Sequence, residues 1–278
     1  MVEIMKCWLR RMQLLLALMI AVPVFLNLAA CANRAGVAGQ SAPKADLVTD
    51  SDEPDGRRRA RIRLELAVGY FEEGQTTIAL DELKQALAAD PNFGEAYNLR
   101  GLVYMRLNDV GLAEESFRRS IALNPADSNV YHNYGWLMCQ QSRYAESMQF
   151  FAQALANPQY RDRPKTLMTQ GLCQIRAGRP TEAELSLTRS YELDAGNPIT
   201  GFNLATLLFH RGEFVRAQFY IRRLNNSESA NAESLWLGIK VERRLDNRDA
   251  AEQLASQLRK RFGQSQELAR YDRGAFDE

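Results

Sequence analysis

"YNLRGLVYMRLNDVGLAEESFRRSIALNP", residues 97–125, decides how the rest of the chain is read. Apolar residues recur at helical spacing up to Arg106, polar Asn108 and Asp109 interrupt them, and a second helical run ends at Pro125. That is helix, turn, helix, stop, because proline lacks the N–H that would continue the second helix. Gly101 lies in the first run, Ala113 comes 12 residues later and Phe117 four beyond that. Two small residues and one large one at this spacing describe two antiparallel helices crossing closely, with the large side chain filling the space beside the crossing.

The same pattern recurs along the chain. Ala67, Gly101, Gly135, Gly171, Ala205 and Gly238 are separated by 34, 34, 36, 34 and 33 residues. Twelve residues after each stands Ala79, Ala113, Ser147, Ala183, Ala217 or Ala250, and four further on Leu83, Phe117, Phe151, Leu187, Ile221 or Leu254. Gly74, Asn108, Ser142, Gly178, Gly212 and Asn247, or a near neighbour, mark the turns, and Pro91, Pro125, Pro158 and Pro198 are expected to close four of the repeats. No strand-like alternation interrupts this series. The expected fold is an all-α solenoid of six helix pairs, each burying its apolar face against its neighbours. A helix–turn–helix of about 34 residues with these small positions resembles the tetratricopeptide repeat over residues 60–262. Gln174 departs from the pattern, standing where an aromatic or apolar residue is usual.

The N-terminal part is different. Lys6, Arg10 and Arg11 precede 22 uncharged residues, Met12 to Asn33, rich in Leu, Ala, Met, Ile and Val. A basic start and an apolar run describe an export signal, and Leu28-Ala29-Ala30-Cys31 resembles the lipobox of bacterial lipoproteins. That resemblance implies cleavage before Cys31 and a covalent diacylglycerol and acyl chain on it. Ala32 rather than Asp after the cysteine points, by the same resemblance, to the outer membrane. The alternative is a plain membrane-spanning helix, for which about 20 apolar residues suffice. Residues 32–56, "ANRAGVAGQSAPKADLVTDSDEPDG", hold few large apolar side chains and read as a flexible tether, reaching about 25–30 Å. The expected organisation is a lipoprotein signal over 1–30, lipidated cysteine and tether over 31–56, and a six-repeat domain over 57–278.

Composition excludes several function classes. The chain carries 35 basic and 34 acidic residues; loss of 1–30 leaves 32 and 33, a net charge of about −1. No global field favours nucleic acid. The basic run "GRRRARIR", 56–63, reads as a solvated first helical turn, with anionic lipid or a partner as the alternative. The only histidines, His132 and His210, are far apart in sequence and belong to no zinc-ligand spacing. With no phosphate loop or nucleophile elbow, neither catalysis, a small-molecule substrate nor a bound cofactor beyond the lipid is expected. Of the four cysteines only Cys139 and Cys173 lie in the body. They are expected as two free buried thiols, although an exported protein permits a disulfide.

Repeats of this kind bind partners along the face lined by their first helices. Mapping the resembled repeat's groove positions gives Leu64, Val68 and Phe71, then Asn98, Leu102 and Met105, then Asn129, His132 and Trp136. Met168, Leu172, Ile175, Phe202 and Phe209 continue the series. The set is apolar for a solvent face and suits an extended or helical peptide.

The final repeat narrows the family. "ESLWLGIKVERRLDNRDAAEQLASQLRKRFGQSQE", 233–267, resembles the end of the PilF/PilW lipoproteins of type IV pilus biogenesis, with Phe262, Ser265 and Glu267 in the family's ending and Gly263 in place of its proline. "NYGWLMCQQSRYAESMQFFAQAL", 133–155, is similar to that family's third repeat. The resemblance implies a pilotin whose partners are the type IV pilus secretin subunit and, through lipid, the outer membrane. An adaptor of outer-membrane β-barrel assembly and a scaffold for cell-wall enzymes remain as alternatives.

Overall fold

The computed structural model describes residues 52–276. The signal, Cys31 and most of the tether lie outside the described residues. Helices fill what is described, with no strand among these residues. They form six antiparallel pairs: α1 (Asp55–Glu72) with α2 (Thr76–Ala89), α3 (Gly94–Arg106) with α4 (Val110–Leu123), α5 (Ser128–Gln140) with α6 (Tyr144–Ala156), α7 (Arg163–Arg176) with α8 (Pro180–Leu193), α9 (Pro198–His210) with α10 (Phe214–Asn225), and α11 (Ala232–Arg244) with α12 (Arg248–Arg261). A short α13 (Gln266–Asp272) packs on the last pair, placing Leu268 and Tyr271 against Leu235, Trp236 and Ile239. The repeat pattern contains no counterpart of α13.

The crossings are built as the spacing requires. A Cβ added to Gly101 would lie 2.5 Å from the Phe117 ring, one on Gly135 2.9 Å from Phe151, and one on Gly171 2.6 Å from Leu187. Phe117, Phe151 and Leu187 are fully buried, as are Ala79, Ala113, Ser147, Ala183 and Ala217. In the sixth pair Ala250 and Leu254 are only half-buried. Repeats also join each other: Tyr134 stacks between Phe117 at 5.6 Å and Phe150 at 4.1 Å, tying the second pair to the third.

All six turns use one device. Gly74, Asn108, Ser142, Gly178, Gly212 and Asp246 take positive φ, between 57° and 79°. This left-handed residue lets the next N–H reach back to a carbonyl in the last helical turn; Asp109 N donates to Tyr104 O at 2.9 Å and Asn247 N to Glu242 O at 2.9 Å. In the last turn the left-handed residue is thus Asp246 rather than its neighbour Asn247.

Four expectations are corrected. Pro91, Pro125 and Pro158 do follow helix ends, but Pro198 opens α9, where its missing N–H costs nothing. The helical body begins at Asp55, two residues before 57. The basic run 56–63 covers two turns of α1 and is not merely solvated: Arg57 pairs with Asp90 and Arg63 with Glu82 at 2.9 Å across to the end and face of α2. Cys139 and Cys173 are not free thiols; they form a disulfide between α5 and α7, with Cα atoms 5.9 Å apart. The pairing follows because consecutive first helices lie side by side at the two cysteines' levels.

Candidate partner-binding groove

First helices touch in series: α1 with α3, α3 with α5, α5 with α7, α7 with α9, and α9 with α11. Among the described residues the second helices make no such contacts with one another. The first helices therefore line the tighter, inner side of the superhelix. The structure brings most of the sequence-derived groove residues to this wall. Leu64, Phe71, Asn98, Leu102, Met105, Trp136, Met168, Leu172, Ile175, Phe202 and Phe209 are half-buried, and Val68 and Asn129 are exposed. Leu102 bridges two core clusters, and Trp136 covers the cluster of Cys139, Phe151 and Cys173. Each such side chain closes the core beneath it and shows its other face to solvent. Asn98 accepts from Asn133 Nδ2 at 3.0 Å, linking the first helices of repeats two and three.

His132 is the exception. It is 7% exposed, so it does not offer a groove contact. Its Nδ1 lies 2.9 Å from Thr166 Oγ1, which meets Tyr160 Oη at 3.1 Å. Burial, reinforced by Lys165, lowers its pKa to about 4, so the ring is neutral at pH 7. The six-residue connection 157–162, two residues longer than that after α4, supplies Tyr160 to this cluster and accounts for the 36-residue step.

Sequence reasoning missed the cations that edge the wall. Arg106 lies over Phe71, 3.7 Å from the ring centre, and Arg176 lies over Trp136 at 4.8 Å. Between α9 and α11 a cavity of about 400 Å³ is lined by Phe202, Phe209, Trp236, Lys240 and Arg270. Lys240 sits 5.3 Å from the Phe209 ring centre and 5.6 Å from that of Trp236; burial, then Arg270 and Arg244, lowers its pKa. The spacing of Trp236 and Lys240 by four on one helix was the available signal. An apolar wall edged by guanidinium and ammonium groups can hold an apolar peptide and orient it through aromatic and cationic contacts.

Comparison with known proteins agrees with this architecture. Tetratricopeptide repeat family models match residues 64–128 and 116–149. The type IV pilus assembly protein PilF of Pseudomonas aeruginosa is 29% identical over 217 residues, 78% of this chain and 86% of that protein. A solved structure from the functional characterisation of P. aeruginosa PilF superposes with a TM-score of 0.70 at 28% identity, covering 79% of this chain and 99% of that one. The crystal structure of PilW, a widely conserved type IV pilus biogenesis factor, matches with a TM-score of 0.67 at 30% identity, over 76% of this chain and 96% of that one. With six helix pairs, the matching ending and this degree of identity, the chain belongs to the PilF/PilW family of tetratricopeptide-repeat proteins of type IV pilus biogenesis.

Proposed function

We propose that the protein is a non-catalytic pilotin, anchored by lipid on Cys31 to the periplasmic side of the outer membrane, that holds a segment of the type IV pilus secretin in its groove. The observation that supports this reading is the continuous first-helix wall, on which Leu102 and Trp136 are only partly buried. Secretin subunits expose strand edges and apolar surface before they assemble, and such surfaces aggregate unless covered. A groove held near the receiving membrane covers them where assembly occurs.

The test is a Leu102→Ser/Trp136→Ser variant in the full chain. Large aromatics often dominate an interface and cost about 2 kcal/mol or more when truncated. The variant is expected to keep its helical signal and its anchor while secretin multimers and surface pili are lost. Normal secretin rings with a folded, anchored variant would remove the groove as the working surface. The anchor is tested separately: Cys31→Ser is expected to lose incorporation of a fatty-acid analogue, and retained label would refute lipidation at this residue.

A further inference from the structure

After α13 the chain turns back toward the last repeat. Gly274 takes a positive φ of 71°, and Ala275 N donates to Arg270 O at 3.0 Å. This left-handed turn caps the short helix and redirects the chain. Phe276 then lies against α11. Its ring centre is 5.3 Å from that of Trp236, and the Arg243 guanidinium stands 3.8 Å from it. Trp236 is 4% exposed, so Phe276 covers a ring that also lines the groove cavity between α9 and α11. Asp277 and Glu278 come next in the sequence and lie outside the described residues.

The surface beside Phe276 is positive. At about 100° per residue, Trp236, Lys240, Arg243 and Arg244 fall within one stripe of α11. Arg270 reaches the same place from α13: it lines the cavity together with Lys240, and it acts on Lys240 as a like charge, as Arg244 does. Among the described residues the cavity lining holds two acids, Glu233 and Glu267. Glu233 is exposed, and Glu267 stands 3.9 Å from Arg270. Lys240, Arg243, Arg244 and Arg270 thus meet two carboxylates, and two more would balance them.

The sequence supplies two carboxylates at this point. A residue advances the chain by at most about 3.6 Å. Asp277 and Glu278 leave from a ring already under Arg243, so their side chains come within reach of Arg244 and Lys240, the neighbouring cations of the stripe. An acid from another molecule must give up its free motion to arrive, whereas acids on a short link are present at an effective concentration in the millimolar range. We propose that Asp277 and Glu278 fold onto Lys240, Arg243 and Arg244 as an acidic strap at the C-terminal end of the groove, and that an acidic stretch of a partner must displace them to bind there. Only the identity of what is excluded rests on the proposed secretin role; the occupancy of the cation stripe does not.

The test compares the exported chain, solubilised in detergent and isotope-labelled on its lysine and arginine side chains, with its Asp277→Asn/Glu278→Gln variant. Both substitutions lie beyond the packed Phe276, so the helical signal and the denaturation midpoint are expected to match. In the variant the Lys240 titration midpoint is expected to fall by about half a pH unit, because the ammonium loses its counter-charges, and high salt should shrink that difference. Acetyl-Gly-Asp-Glu-Gly-amide, followed through the Lys240 and Arg244 signals, is expected to bind the variant at least about threefold more tightly than the parent, the gain for a site open about one third of the time. The Asn-Gln analogue should move neither. An unchanged Lys240 midpoint, or equal peptide affinity in parent and variant, would overturn the proposal. No secretin is present, so failure here leaves the groove reading standing, and normal secretin rings in the Leu102→Ser/Trp136→Ser variant would leave the strap untouched.

Discussion

Repeats three and six place a glycine at the same crossing and surround it differently. Gly135 is pressed against Phe151, a fully buried ring, and the nearby titratable group, His132, is kept neutral by burial. Gly238 faces the end of the Asn225 amide and half-buried Leu254, and the nearby titratable group, Glu242, is charged. Burial alone would raise the Glu242 carboxyl; hydrogen bonds from Arg222, Asn247 and Gln218 outweigh it and hold it below its ordinary value. One backbone pattern thus supports a tightly packed, uncharged crossing in the middle of the solenoid and a charged polar junction at its C-terminal end. The repeat fixes where helices cross; the side chains at the crossing decide whether the space is sealed or kept polar.

Acid should separate the two regions with the largest effect. His132 has a folded pKa of about 4 against 6.5 unfolded, so its contribution is complete above pH 6.5 and is lost as pH falls toward 4, because the unfolded state binds the proton first. The loss amounts to about 3 kcal/mol. Glu242, with a folded pKa below 4.5, gives up its contribution only at lower pH. Hydrogen exchange between pH 7 and 4.5 is expected to loosen α5 and α7 before α10 and α11, and His132→Gln should flatten the pH dependence of the denaturation midpoint. Simultaneous loosening would break the contrast.

Smaller effects follow at the glycines. Gly135→Ala forces a carbon against a sealed aromatic ring and is expected to cost about 1–3 kcal/mol in a denaturant melt. Gly238→Ala pushes the Asn225 amide off Ser234 O, a loss that the gain in helix propensity offsets, so its net change is expected within about 1 kcal/mol. Equal costs would mean that the two crossings are packed alike.

The regular parts of this architecture were legible in the sequence because they depend on one local distance repeated along the chain. The glycine–Phe117 and glycine–Phe151 contacts and the turn positions follow from spacing, whereas the groove positions came from the resembled repeat. What was missed depends on how consecutive repeats stack. Cys139 lies four residues after Gly135 and Cys173 two after Gly171, so their equivalence to a bonded pair emerges only when α5 and α7 lie side by side. His132 reads as a groove residue by position, yet the longer connection after α6 brings Tyr160 and Thr166 over it. Lys240 and Arg270 reach one cavity from helices separated by a whole second helix, and α13 lies beyond the repeat that would have announced it.

The proposed function requires the inner wall of first helices, rather than the outer face of second helices, to receive the secretin. A photocrosslinking residue placed at Leu102, half-buried on the wall, can be compared with one at Val215, 70% exposed on α10. In intact cells a secretin adduct is expected from position 102 and none from position 215. An adduct from 215 alone would contradict it.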